Sequence, residues 1–250
     1  MKSFKKKILT IALFFLVLSG YSQESSKIVL ISDFDDTYRI TNTKSKITAA
    51  LNAVFTKKVF GGMSLLYEQI DRNAEAFYML SNSPKKLRRR VKKILWNNNL
   101  NPDSICLYEK IGTPYEQKYN FITEMLDKHH DALFILVGDD SGEDPEIYHS
   151  IQNNNVGRIA AIYIRPVRGR TVPKGSRIFH TAFDIACYEL AASRYQYADA
   201  QAVGQKVIGS KKKFIFPSYL SISHRLQIKD IDDKMVTMRN DIYNLMDIAE

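Results

Sequence analysis

The chain has 250 residues and a formal net charge of +9 at pH 7, and two of its residues are cysteines. A length of this order suits one domain once a short leader is set aside. The positive charge fits attraction to anionic lipid or phosphate-bearing ligands, but so modest an excess gives little support to nucleic-acid binding, and we expect none. Two unpatterned cysteines, Cys106 and Cys187, do not indicate a disulfide framework, so their pairing stays open.

Residues 1–22 have the pattern of a cleaved export signal. Four lysines precede an eleven-residue apolar core over residues 8–18, and the small residues Gly20 and Ser22 follow. This core is shorter than the roughly 20 residues that a membrane-spanning helix needs, and no cysteine follows it for lipid attachment. We therefore expect a periplasmic or secreted chain that has lost four lysines and no acid, which lowers its formal charge from +9 to +5.

Five short apolar runs alternate with amphipathic stretches along the first two thirds of the chain. The runs predict strands over 27–33, 76–81, 104–108, 132–139 and 158–164. Helices are predicted near 45–57, 63–72, 84–97, 114–129 and 145–153, where apolar residues recur three and four positions apart. Nearly continuous apolar strands indicate an α/β fold, in which helices cover both faces of a parallel sheet.

Beyond residue 180 the strand pattern ends and a long Ala- and Tyr-rich helical stretch begins. It is followed by KKKFIFPSYL (211–220) and a polar helical tail. No linker rich in Pro, Gly or Ser separates this part from the rest. The sequence therefore predicts a signal peptide over 1–22, one domain over 23–180 and a helical extension over 181–250 that packs on the same domain.

Acidic residues follow two of the predicted strands. Asp33 and Asp35 come at the end of the first strand, and Asp139, Asp140 and Asp144 follow the fourth. Because an open parallel sheet binds ligands outside the carboxyl ends of its strands, these acids can converge on one crevice. Two converging acidic clusters predict a magnesium site for phosphoryl transfer.

Four elements in order resemble the haloacid dehalogenase superfamily of phosphohydrolases: D-x-D-x-T after a strand, Ser81, Lys118 and G-D-x-x-x-x-D after a later strand. Within it, SDFDDT, LSNSP and FILVGDDSGEDPEIYHSI followed by RIAAIYIRPV resemble bacterial relatives of the actin-patch-type phosphatidate phosphatase catalytic domain, over about 28–168. The resemblance implies a Rossmann-like sheet of order 3-2-1-4-5 and phosphatidate or a related lipid phosphate as substrate. The short segment between Thr37 and Ser81 leaves room for little or no cap.

The resemblance implies that Asp33 is the nucleophile and Asp35 the general acid and base. The chemistry of the residues agrees, because one carboxylate can attack phosphorus while its neighbour protonates the leaving oxygen. Asp33 and Asp139 are the expected Mg²⁺ ligands, together with the backbone carbonyl of Asp35. Asp144 and Asp140 are expected to orient bound waters or Lys118.

Phosphate binding is predicted for Thr37, Ser81, Asn82 and Lys118. Ser81, neighbouring backbone amides such as that of Asn82, and the start of the following helix can hold phosphate oxygens. Thr37 has the simpler alternative of fixing the loop after the first strand, and Ser83 with Pro84 that of a helix cap. Lys118 is expected to face the transferring phosphoryl group, and Lys110 remains the competing lysine.

Two basic segments are candidates for peripheral contact with an anionic membrane. One is KKLRRRVKK (85–93), whose alternative is an ordinary solvated helix face, and the other is 211–220, whose alternative is core packing.

The sequence as a whole predicts an exported, Mg²⁺-dependent phosphatase that acts on phosphatidate through an aspartyl-phosphate. Two alternatives stay open: a non-catalytic protein that binds a phospholipid headgroup, and a phosphatase for a soluble phosphomonoester.

Overall fold

The structure, a computed structural model, describes residues 27–42 and 57–247. The predicted signal peptide over 1–22 and nearly all of the predicted helix over 45–57 lie outside these residues. Within the described ranges, no helix combines the length and apolar character needed to cross a bilayer.

Six parallel strands form one sheet in the order β3-β2-β1-β4-β5-β6. Their bounds are β1 Ile28–Asp33, β2 Ala76–Pro84, β3 Ser104–Tyr108, β4 Leu133–Asp139, β5 Ile159–Arg165 and β6 Ser176–Ile178. The predicted parallel α/β sheet and its order are confirmed, and β6 is an additional edge strand. It escaped prediction because its three residues are half-buried and form no apolar run.

Helices precede, connect and follow the strands. They are α1 Met63–Asp71, α2 Arg88–Trp96, α3 Pro114–Lys128, α4 Asp144–Asn154, α5 Ala182–Ala191, α6 Tyr197–Ile208, α7 Lys212–Ile215 and α8 Asp233–Asp247. The helix predicted from residue 84 begins later, because β2 continues to Pro84 and a 3₁₀ turn over Lys85–Leu87 precedes α2. The long helical stretch after residue 180 is divided, since Ser193 adopts a left-handed φ of 57° between α5 and α6.

The two faces of the sheet bury separate apolar cores. Alternate side chains of β1 point to opposite faces, so Leu30 belongs to one core while Val29 and Ile31 belong to the other. The first core also contains side chains of α1, α2, α5, α6 and α8, and the second contains those of α3 and α4. The helical extension therefore packs against the same sheet as the elements before it.

The start of α3 is defined by its sequence. Thr113 and Glu116 form a reciprocal capping box, and Pro114 occupies the first turn, where its missing N–H costs nothing. Fixing this start places Lys118 in the second turn, buried against the tip of β1.

The outer side of the edge strand β3 is covered by side chains. Arg88 donates a hydrogen bond to the carbonyl of Ile105 at 2.8 Å, and Gln117 donates to the carbonyl of Leu107 at 2.8 Å. Two outward carbonyls of this edge are thus already occupied.

Candidate active site

Three buried carboxylates converge where β1 and β4 end. Asp33 closes β1, Asp139 closes β4, and Asp144 begins α4, while β1 and β4 are neighbours in the sheet. The three residues offer carboxylate oxygens that all lie within 4.8 Å of one another. The two acidic segments of the sequence therefore meet at one point, which makes them a candidate metal centre.

Lys118 is the cation of this cluster. Its ammonium lies 2.6 Å from Asp33 Oδ1 and 2.6 Å from Asp144 Oδ1, and all three side chains are buried. Lys110 is exposed in the loop after β3. The structure thus brings Lys118 to the predicted nucleophile, and it gives Asp144 the position expected of a residue that orients Lys118.

The cluster contains more negative charge than its own lysine balances. Burial, with Asp144 and Asp35 nearby, raises the pKa of Asp33 to about 7 against the opposing effect of Lys118. Burial also raises the pKa of Asp139 well above its ordinary value, and Asp33 and Asp144 add to this effect. Although burial opposes it, Asp144 and Asp33 raise the pKa of Lys118. A divalent cation fits this donor set, because hard oxygen ligands and uncompensated negative charge are what such an ion binds.

Gly138 permits the close packing of the cluster. A Cβ at this position would lie 2.6 Å from Asp144 Oδ2 and 2.8 Å from the ring of Tyr148. Any larger residue before Asp139 would therefore push α4, and with it Asp144, away from the cluster.

Asp35 lies in a contrasting environment, saturated with hydrogen-bond donors. Its Oδ1 accepts from Arg39 Nε at 3.0 Å and from Thr41 at 2.8 Å, and it also pairs with Arg39 Nη2. Its Oδ2 accepts from the hydroxyls of Ser81 and Ser83, each at 2.9 Å. Although burial opposes ionisation, Arg39 and these hydrogen bonds lower the pKa of Asp35.

The loop after β1 is held by its own side chains. Thr37 donates to Asp139 Oδ2 at 3.3 Å, which links the two acidic segments directly. Asp36 adopts a left-handed φ of 58° and accepts hydrogen bonds from the backbone amides of Thr41 and Asn42. It also accepts one at 2.6 Å from the hydroxyl of Tyr219, a residue of the helical extension.

The structure does not bring Asp140 to the carboxylate cluster. Its side chain accepts hydrogen bonds from the backbone amides of Val167 and Arg168 at 2.6 Å and of Arg170 at 2.7 Å. The expected role of Asp140 at the metal site, in orienting bound waters or Lys118, is therefore corrected: Asp140 holds the loop after β5. Asn82 is exposed on β2, and Ser83 does not cap a helix but binds Asp35.

Arg39 and Tyr219 are contacts of the site that the sequence did not identify. Arg39 is two residues beyond Thr37, but no periodicity distinguishes an arginine buried against Asp35 from an exposed one. Tyr219 is 183 residues from Asp36 in the chain, so no local pattern predicts their contact. Proximity to the D-x-D-x-T motif is the one signal that could have indicated Arg39.

Cys106 lies in β3 and Cys187 in α5, and both are free thiols. The carboxylate cluster therefore stands on a fold held by packing, ion pairs and hydrogen bonds among its described residues.

Comparison with known proteins identifies the family. The family model described as phosphatidate phosphatase APP1, catalytic domain, matches residues 28–166, which include Asp33, Asp35, Ser81, Lys118 and the second acidic segment. No curated protein and no solved structure matches the chain. The chain belongs to the phosphatidate phosphatase APP1 catalytic-domain family, which confirms the resemblance found in the sequence and the predicted enzyme class, a phosphoric monoester hydrolase.

Proposed function

We propose that this member of the family is an exported, Mg²⁺-dependent phosphatidate phosphatase that acts through an aspartyl-phosphate on Asp33. The observation that carries the proposal is the buried cluster of Asp33, Asp139 and Asp144 around Lys118. A carboxylate can attack phosphorus, a buried ammonium beside it can stabilise charge on the phosphoryl oxygens, and the further acids can hold a metal ion.

Asp33 and Asp139 would hold the metal ion, with Asp144 beside them. When bound, Mg²⁺ supplies positive charge that neutralises the phosphoryl oxygens and offsets the repulsion among the carboxylates. Lys118 keeps Asp33 and Asp144 in place through its two ion pairs and adds a second positive charge next to the reacting phosphate.

In the first half-reaction, an oxygen of Asp33 forms a bond to phosphorus while the ester bond from phosphorus to the glycerol oxygen breaks. Asp35 is ionised before substrate binds, takes up the proton of the incoming phosphate monoanion on Oδ2, and gives this proton to the glycerol oxygen, so diacylglycerol leaves as a neutral alcohol. In the second half-reaction, Asp35 takes a proton from water, whose oxygen attacks phosphorus. The bond between Asp33 and phosphorus breaks, which releases inorganic phosphate and restores the free Asp33 carboxylate.

The two oxygens of Asp35 suit this role differently. Arg39 and Thr41 hold Oδ1, whereas Ser81 and Ser83 donate to Oδ2. When a substrate phosphate enters, the two serine hydroxyls can turn to its oxygens and leave Oδ2 for the transferred proton. Arg39 keeps the carboxylate oriented throughout.

A substrate-panel assay tests the proposal. The mature chain from residue 23 should release phosphate from phosphatidate in the presence of Mg²⁺ and lose that activity in EDTA. Absence of turnover on every lipid phosphate would contradict the proposal. Turnover confined to soluble phosphomonoesters would show that the substrate belongs to that class instead.

Trapping separates an enzyme from a protein that only binds headgroups. Incubation with BeF₃⁻ and Mg²⁺ should place beryllium on Asp33, and this is observable by ¹⁹F NMR. A pure headgroup binder has no reason to form this adduct.

Export is tested by the intact mass of the chain recovered from cells that express all 250 residues, which should lack residues 1–22.

A further inference from the structure

One side of the molecule carries cations without matching acids. The 3₁₀ turn and α2, from Lys85 to Trp96, contain seven lysines and arginines but no acidic residue. Val91, Ile94 and Leu95 bury the inner face of α2, which leaves most of the charged side chains outside. We call the outer face, defined by Lys86, Arg89, Lys92, Lys93 and Trp96, the basic face.

The cations of the basic face are not neutralised by the protein itself. Lys85 pairs with Glu109 at 2.9 Å, and Arg88 donates to the Ile105 carbonyl. By contrast, within residues 27–42 and 57–247 the structure gives no carboxylate partner to Lys86, Arg89, Lys92 or Lys93. A partner that fits this face must bring negative charge.

An open cavity lies between this helix and the edge of the sheet. It has a volume of about 590 Å³ and is lined by Arg88, Lys92, Lys93, Trp96 and the segment 101–105 that leads into β3. Three cationic side chains line it together with one acid, Asp103, whose carboxylate accepts a hydrogen bond from the Phe77 amide, so the lining has a net positive charge.

An aromatic side chain is exposed beside these cations. Trp96, the chain's single tryptophan, is 72% exposed at the end of α2 and lines the cavity with Lys92 and Lys93. Tryptophan next to lysine and arginine is the composition of surfaces that lie at a bilayer interface, where the ring enters the headgroup region and the cations meet anionic lipid. Single-stranded nucleic acid would also match the charge and could stack a base on Trp96, so RNA is the competing occupant that the binding test includes.

We propose that the basic face docks on a bilayer that contains anionic phospholipid, and that Trp96 inserts at the interface. The inference rests on the proposed function in one respect, since the bilayer would carry the lipid substrate. The face begins next to the active site: Lys85 follows Pro84, and Ser83 binds Asp35. In the sheet, β3 is two strands from β1, a separation of roughly 10 Å.

The segment 211–220 lacks the same features. Ile215 and Phe216 are buried in the core, and Phe214 is half-buried beneath Lys58 and Lys213. Its aromatic residues are used for packing and do not face a membrane. Its exposed lysines, Lys211 and Lys213, therefore provide a matched control for the basic face.

The single tryptophan makes docking directly measurable. Fluorescence of the mature chain should shift to shorter wavelength when vesicles of phosphatidylcholine and phosphatidylglycerol are added, and lipids brominated along their acyl chains should quench it. Vesicles of phosphatidylcholine alone should leave the emission unchanged, and salt should reverse the shift. An emission spectrum that stays constant with anionic vesicles would overturn the proposal.

Charge variants test which surface binds. The double variant Lys92→Gln/Lys93→Gln should bind anionic vesicles about 25-fold more weakly in co-sedimentation, since each lysine contributes roughly a factor of 5. The control Lys211→Gln/Lys213→Gln should bind like the unmodified chain. Equal losses in both variants, or an RNA oligonucleotide that binds more tightly than the vesicles, would overturn the assignment.

Turnover of a soluble short-chain phosphatidate separates docking from catalysis. The Lys92→Gln/Lys93→Gln variant should keep its turnover of this substrate and lose turnover of phosphatidate in anionic vesicles. If no phosphate ester is cleaved while the fluorescence shift persists, the proposed function fails and docking stands. If soluble substrate is cleaved but vesicles are neither bound nor hydrolysed preferentially, docking fails and the phosphatase stands.

Discussion

Asp33 and Asp35 are two residues apart in the chain, yet they lie in opposite electrostatic environments. Asp33 shares a buried cluster with two further carboxylates and one ammonium, and its pKa is raised to about 7. Asp35 has donors on both oxygens and a buried arginine beside it, and its pKa is lowered. The cluster around Asp33 has one ammonium for three carboxylates, whereas the single carboxylate of Asp35 has a guanidinium of the chain beside it.

This difference supports the separate tasks proposed for the two acids. When a carboxylate crowded by other anions forms a bond to phosphorus, and a cation is bound beside it, the repulsion among the anions decreases. A carboxylate fixed by a network of donors keeps its position while protons pass to and from it. Four substitutions would break or sharpen the contrast.

Asp33→Asn should have the largest effect. An amide cannot form the aspartyl-phosphate, so turnover of phosphatidate should fall by more than about 10⁴-fold. The variant should remain folded, because removal of one charge relieves repulsion within the buried cluster. Circular dichroism and thermal melting provide the control, and an active, folded variant would refute the nucleophile assignment.

Asp35→Asn should reduce turnover of phosphatidate by about 10²- to 10⁴-fold, the usual contribution of general acid–base catalysis. The loss in the first half-reaction should be smaller for p-nitrophenyl phosphate, whose leaving group needs no proton. Burst kinetics with this substrate should therefore show phosphorylation of Asp33 followed by slow hydrolysis. If both substrates lose activity equally with no burst, Asp35 is not the proton donor.

Arg39→Met should destabilise the protein by about 3 kcal/mol, because it leaves Asp35 with a partly buried charge and no cationic partner. Urea unfolding measures this change. The double variant Arg39→Met/Asp35→Asn should recover much of the lost stability, since neither charge remains. A double variant as unstable as the sum of the single ones would show that the two residues do not interact.

Tyr219→Phe should have the smallest effect, a loss of stability of about 1 kcal/mol together with a several-fold lower kcat. The hydroxyl bonds to Asp36, which holds the loop between Asp33 and Thr37 in its left-handed conformation. Tyr195→Phe, which removes a buried hydroxyl bonded to Gln69, should cost similar stability and leave kcat unchanged. Equal kcat in the two variants would leave Tyr219 a purely structural role.

The sequence predicts the strand tips well because their signals are local. A continuous apolar run followed by acids marks β1 and β4, and the parallel sheet then requires Asp33 and Asp139 to be neighbours. Contacts that depend on side-chain direction are beyond such reasoning. Asp139 and Asp140 are adjacent and chemically identical, but one points into the cluster and the other binds the loop after β5.

Long-range partners and short elements are the other unpredicted features. Tyr219 reaches Asp36 because the extension packs across the sheet, and only the folded chain reveals that contact. The break between α5 and α6 depends on one residue, Ser193, in a left-handed conformation for which serine carries no strong signal.

The side chains that cover the outer side of β3 also have a consequence for how copies of this protein behave at high concentration. Since Arg88 and Gln117 already occupy the carbonyls of Ile105 and Leu107, a second extended chain finds few acceptors with which to pair. These two hydrogen bonds therefore disfavour the pairing of β3 with a strand of another copy, which is the first step of amyloid-like stacking. The sheet can thus end in an unpaired strand at β3 and still disfavour aggregation through that edge.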